Sequence, residues 1–238
     1  MKKSLLSLFA IILFAGCAST HGLTESRNSL FQVGLYSELV NGNYDGTITI
    51  GDLKQRGDFG IGTFDGLDGE MVVLNGKVYQ VPATGKVIPG NDRMTIPFAV
   101  ITRFEPERSD SVKNISTFAS LRSVLDLLVG DGRFFYAIKI QGLFQYMKTR
   151  SVPKQQKPYR PLDEVLKEQP IFEFGNIHGT LIGFYMPASI NGSTTAGYHF
   201  HFISSDKTRG GHLLECTVQQ ATISIDKKDQ LSVQLPKE

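Results

Sequence analysis

The chain is poor in the features that most readily assign a protein to a class. It carries 2 cysteines in 238 residues. If the first of these, Cys17, is acylated as argued below, Cys216 is the only free thiol and an intrachain disulfide is excluded. Cys216 lies in the apolar run HLLECTV and reads as a buried structural thiol. Lys and Arg number 25 and Asp and Glu 23, with no basic block, so the chain lacks the electrostatic footprint of a nucleic-acid binder. There is no tandem repeat, no low-complexity segment and no second apolar span after the N-terminal one. That N-terminal run, Leu5 to Ala15, is itself too short to cross a bilayer, which takes about 20 residues.

What is present at the N-terminus is MKKSLLSLFAIILFAGC. A basic start followed by a short apolar run reads as an export signal rather than a structural helix. The small residues Ala15 and Gly16 directly before Cys17 resemble a bacterial lipobox, with Phe14 where Leu is usual. Residues 1–16 are therefore expected to be a lipoprotein signal peptide, with Cys17 as the lipid-modified first residue. Several acyl chains on one residue anchor stably where a single one does not. Ala18 in place of Asp points by the same resemblance to the outer membrane. The expected location is the cell envelope, with membrane contact only through the lipid. Residues 17–28 are polar, lack periodicity and read as a tether. Loss of Lys2 and Lys3 brings the 25 basic residues level with the 23 acidic ones.

The body of the chain is rich in strand patterns. LFQVGLY (30–36) and TITI (47–50) read as strands, and Ser37 to Asn43 as a short helical turn. EMVVLNGKVYQV (70–81) reads as a hairpin with Asn75-Gly76 in a type I′ turn. STFASLRSVLDLLV (116–129) spaces its apolar residues by three and four, which predicts an amphipathic helix with Ser116 as N-cap and Gly130 as stop. RFFYAIKIQGL (133–143) reads as a strand. SVPKQQKPYRP (151–161) is the best boundary or surface loop, and Leu162 to Gln169 can form a short helix. From IFEF onward six strand-like runs separated by turns argue an antiparallel sheet or barrel.

The chemistry concentrates in GYHFHFISSDKTRGGHLLE. His199 and His201 are two apart, so in a strand both imidazoles face one side. SSDKTRGG reads as a turn that returns a second strand with His212 at its start. Three imidazoles converging from two strands, with a fourth position open, suit a catalytic zinc site. Polar residues on the wet face of a hairpin would satisfy the same pattern.

The blocks YDGTITIGDLKQRGDFGIGTFDGLDGEM, IPFAVITRF, YAIKIQG, GTLIGFYMP and GYHFHFISSDKTRGGHLLE together resemble the α-acetolactate decarboxylase family over nearly the whole chain beyond the leader. The resemblance implies an α+β, β-rich fold. An N-terminal mixed β-sheet half (29–150) would run into a C-terminal antiparallel β-barrel half (151–238) that carries the metal site. It implies a homodimer with one Zn2+ per chain on His199, His201 and His212. It places catalytic roles on Glu70 and Arg150, and substrate contacts on Arg150 and Thr63. The implied reaction takes 2-acetolactate to acetoin and carbon dioxide, on the route to acetoin and butanediol. Zinc would act as a Lewis acid stabilising the enediolate, with no thiamine diphosphate or pyridoxal phosphate. The family also draws a glutamate from a tail beyond its last strand, and no residue of LSVQLPKE aligns with it. His178 aligns with no ligand and is expected to be a hydrogen-bonded structural histidine. Two other classes share the histidine pattern: a cupin-like metal enzyme, although Phe202 to Asp206 lacks the glutamate cupins place there, and a non-catalytic zinc-binding envelope lipoprotein.

Overall fold

The computed structural model describes residues 27–130 and 132–235. The leader, Cys17 and Glu238 lie outside the described residues. The fold is mostly β, with several sheets.

The chain runs in order through β1 (Ser29–Val33), α1 (Tyr36–Val40), β2 (Ile48–Thr49), α2 (Ile50–Arg56), β3 (Phe59–Thr63), β4 (Glu70–Leu74) and β5 (Lys77–Val81). It continues with β6 (Ile88–Pro89), β7 (Thr95–Ile96), β8 (Ala99–Thr102), β9 (Arg108–Ile115), α3 (Phe118–Val129) and β10 (Phe135–Arg150). The last elements are α4 (Leu162–Val165), β11 (Ile171–Met186), β12 (Gly197–Ser204), β13 (Gly210–Lys228) and β14 (Gln230–Gln234). The first sheet has the order β14-β1-β8-β3-β4-β5-β6. It is mixed, because β14 runs parallel to β1 while the other neighbours are antiparallel. The second sheet has the order β10-β11-β12-β13-β9, and β10 also pairs with β13. The strands β2 and β7 form a separate pair.

The change of sheet falls between β8 and β9, well before the expected division at residue 150. β10 belongs to the second sheet throughout its length, and β14 returns to the first. Strand patterns in the sequence report burial and not the identity of the neighbouring strand, so pattern alone does not tell which sheet a strand joins. Several shorter expectations merge: IFEF and GTLIGFYM are one strand, β11, and HLLECTV and ATISI are one strand, β13. TITI is a strand only at Ile48–Thr49. Ile50 opens α2, which the sequence reading missed. Thr49 Oγ1 accepts from Asp52 N at 3.1 Å and caps that helix. In α3 the cap is Thr117 rather than Ser116, accepting from Ser120 N at 3.0 Å. The hairpin at Asn75-Gly76 has the expected positive φ at both residues.

Alternation sorts the side chains into layers. On β4, Val72 joins Phe59 and Ile61 in the core shared with Ala137, Ile182, Phe184 and Ile203 of the second sheet. Met71 and Val73 face the opposite way, onto Ile50 and Leu53 of α2. β4 is buried along its whole length, which explains its unbroken apolar run. A third core lies inside the second sheet, where Phe200, Phe202, Leu213, Cys216 and Val218 pack with Leu121, Leu125 and Val129 of α3.

Two leucines of α3 test this layering. Leu125 is fully buried and Leu127 is 82% exposed. Leu125→Ala should cost about 2–5 kcal/mol in denaturant unfolding, and Leu127→Ala less than about 0.5 kcal/mol. Equal losses would contradict the placement of the helix.

Candidate active site and metal centre

The site forms where the second sheet packs on β4. In β12, Phe200 and Phe202 enter the interior core while His199, His201 and Ile203 face the first sheet. The apolar and polar residues thus separate onto two faces by the strand's period of two. His201 lies directly opposite His212 of β13, and His212 lies opposite Arg150 of β10. One row across three strands therefore carries two imidazoles and a guanidinium. The turn between β12 and β13 is held by Asp206, whose Oδ1 accepts from the Ser204 hydroxyl at 2.5 Å and from Thr208 N at 3.1 Å. Those bonds hold its carboxyl below the usual range.

Two glycines permit close approach. Gly211 has φ +131°, and a Cβ there would sit 2.5 Å from the Arg150 carbonyl oxygen. It brings β13 against β10 immediately before His212. Gly69, at φ +82°, immediately precedes Glu70, and a Cβ there would collide with the Val81 carbonyl. The Thr63 hydroxyl donates to the Gly69 carbonyl at 2.7 Å, and Gln80 Nε2 donates to the Asp68 carbonyl at 2.6 Å. These bonds set the turn that delivers Glu70 at the start of β4.

The three histidines offer one ligand atom each, all within 4.8 Å of one another. His199 Nε2 and His212 Nδ1 lie 3.1 Å apart, close to the roughly 3.3 Å edge of a tetrahedron with zinc-type bond lengths. His201 Nδ1 donates to the Met71 carbonyl at 2.8 Å. That bond fixes the tautomer and leaves Nε2 as a lone pair. Nε2 is buried without a hydrogen-bond partner. Burial holds all three imidazoles neutral: His199 and His212 lie well below the ordinary value, and His201 is lowered to about 3. The nearby Arg150 charge pushes each in the same direction. Neutral, convergent nitrogens with one lone pair orphaned fit a divalent cation.

Glu70 completes the group. Its Oε1 accepts from Arg150 Nη1 at 2.6 Å, and both side chains are largely buried. Its Oε2 lies 3.2 Å from His201 Nε2. Two lone pairs face each other there unless the carboxyl carries a proton. Burial raises the pKa of Glu70 and outweighs the lowering by Arg150.

The catalytic, substrate and metal residues expected from sequence line one cavity: Glu70, Arg150, Thr63, His199, His201 and His212. Thr63 is there as a wall, with its hydroxyl proton already donated to Gly69. Arg150 is the last residue of β10. The sequence reading missed Tyr36, Leu39, Phe98, Val152, Leu162, Leu166 and Thr195, which also line the cavity. They come from five separated segments, so no local spacing reveals them. His178 is exposed on β11, away from the cavity, and shows no structural side-chain bond among the described residues.

Comparison with known proteins agrees with this geometry. Residues 30–238 match the family model for α-acetolactate decarboxylase. The α-acetolactate decarboxylase of Methanosarcina mazei is 41% identical over 207 residues, 87% of this chain and 72% of that protein. The Brevibacillus brevis enzyme is 42% identical over 210 residues, 88% of this chain and 74% of that protein. Among solved structures, the Bacillus subtilis strain 168 enzyme superposes with a TM-score of 0.86 at 36% identity, covering 88% of this chain and 90% of that one.

A cation titration tests the centre. The wild-type chain should bind one equivalent of a divalent cation, and His212→Ala none. Gly211→Ala keeps every imidazole but forces β13 away from Arg150. It should weaken binding about 10–100-fold, as loss of supporting contacts does elsewhere. Unchanged affinity in Gly211→Ala would remove the glycine from the argument.

Proposed function

Because the chain belongs to the α-acetolactate decarboxylase family, whose members are carboxy-lyases, we propose that it converts 2-acetolactate to acetoin and carbon dioxide at the cavity between β4 and the second sheet. The observation that carries this reading is the convergence of three neutral imidazoles with a buried Glu70–Arg150 pair in one chamber. A zinc ion held by His199, His201 and His212 would supply Lewis-acid stabilisation to the hydroxyl and ketone oxygens of the substrate as negative charge develops.

The remaining tasks fall to side chains. Arg150 uses Nη1 on Glu70 and keeps its other N–H donors for the substrate carboxylate. Departure of carbon dioxide leaves an electron pair that the adjacent ketone takes up as an enediolate. That species needs a proton delivered to carbon on one face. Glu70 is the acid placed to do this, and burial shifts its pKa upward, toward the acid form. Leu39, Phe98, Val152, Leu162 and Leu166 form apolar walls. By excluding water they strengthen each electrostatic contact inside. The pairing of β10 with both β11 and β13 supports a closed barrel as the rigid frame of the site. The cupin-like alternative loses its basis with the family assignment.

Acetoin formation by the zinc-loaded chain tests the reading, and its absence with zinc bound would favour a binding protein. Glu70→Gln should retain the metal and lose turnover by about 10²–10⁴-fold. Arg150→Lys should retain the metal and lose both binding and turnover, because an ammonium cannot reproduce the forked guanidinium. Wild-type turnover and enantiomeric purity in Glu70→Gln would assign the proton to another donor.

We also propose, from the leader FAGC alone, that Cys17 is lipid-modified and tethers the enzyme to the cell envelope. Intact mass of the membrane-extracted protein should show a di- or triacylated Cys17, and Cys17→Ser should lose it. An unmodified chain starting elsewhere would refute the anchor.

A further inference from the structure

Among the described residues, two buried side-chain atoms that line the cavity have no hydrogen-bond partner: His201 Nε2 and Thr195 Oγ1. The first has a role in the proposed metal centre. The second has none. A hydroxyl withdrawn from water without a partner is a standing cost, and such a group in a ligand chamber is accounted for when the ligand supplies the missing bond.

The backbone around Thr195 is held in place. It lies in the connection between β11 and β12, 4 positions before His199. Gln32 Nε2, buried on β1, donates to the Ser193 carbonyl at 2.7 Å. Tyr36 N donates to that same carbonyl, and Ser37 N donates to the Gly192 carbonyl, both at 3.0 Å. Thr194 is buried. The connection is thus pinned to β1 and to the start of α1 just before Thr195. The cavity's other threonine, Thr63, has its proton engaged by Gly69. Apart from Glu70, Arg150 and the two threonines, the walls around the histidines are largely apolar.

We infer that Thr195 is a substrate-contacting residue whose hydroxyl donates a hydrogen bond to an oxygen of the bound 2-hydroxy-3-keto acid, and so helps determine which substrates the chamber accepts. This rests on the decarboxylase reading and deepens it. No bond is made or broken at Thr195. Its part is to orient an oxygen beside the histidines while Arg150 holds the carboxylate.

The test compares Thr195→Val with Thr195→Ser in the zinc-loaded full chain. Acetoin kinetics, zinc content and thermal unfolding are measured for each. Val preserves the shape and removes the hydroxyl; Ser preserves the hydroxyl. Expected are a roughly tenfold loss of kcat/KM in Val, by the usual worth of one neutral hydrogen bond, and near wild-type kcat/KM in Ser. Zinc content should stay unchanged in both. The melting temperature of Val should be equal or higher, because an unsatisfied hydroxyl has gone. Wild-type kcat/KM in Val would overturn the inference while leaving the decarboxylase reading intact. So would a fall in melting temperature matched by equal losses in Val and Ser, which would mark a packing role. A wild-type chain that binds zinc and makes no acetoin would overturn both.

Discussion

The hydrogen bond from His201 Nδ1 to the Met71 carbonyl is the contact on which the site depends. It crosses from the second sheet to the first, so it registers one sheet against the other at the centre of the cavity. It also decides which ring nitrogen of His201 is free. Because Met71 follows Glu70 directly, the same bond fixes the separation between an imidazole lone pair and a carboxylate oxygen. Glu70 and His201 are 131 positions apart in the chain and belong to different sheets, and this bond acts there together with the one from Arg150 to Glu70.

Around this contact the protein arranges opposing electrostatic demands. Burial pushes imidazoles toward the neutral form and Glu70 toward the protonated form. Arg150 pulls against the second effect and reinforces the first. A guanidinium does not deprotonate at any ordinary pH, so it supplies a permanent positive charge to the chamber. Such a chamber favours an anion entering near Arg150 without requiring excess positive charge on the rest of the surface. That agrees with a chain whose acidic and basic residues nearly balance.

Much of this was legible in the residues. The HxH spacing on a strand, the polar turn and the third histidine specify a convergent trio, because a strand's period of two and a short turn leave little freedom. Glu70 and Arg150 were legible only through family resemblance, since a carboxylate beside a turn and an arginine before a polar loop are ordinary in isolation. The apolar walls and Thr195 were not legible. They are gathered by tertiary packing from α1, the residue just before β8, the segment after β10, the stretch from Leu162 to Leu166 and the connection before β12. The helix α2 was missed because Ile50 continues a β-branched run while Thr49 and Asp52 supply a cap that wins locally. The sheet boundary was misplaced for a related reason: a buried strand looks alike in either sheet.

The parallel pairing of β14 with β1 joins residues 230–234 to residues 29–33. These two stretches are the first and last strands of the described chain, and β1 otherwise has a neighbour only on its β8 side. The second edge of β1 is therefore covered only by a strand from the far end of the described chain. Contacts of such long sequence separation form late and slowly, and an uncovered strand edge invites pairing with other chains in the meantime. Until β14 docks, one edge of β1 stays open, and its docking acts as the latch that ends this exposure.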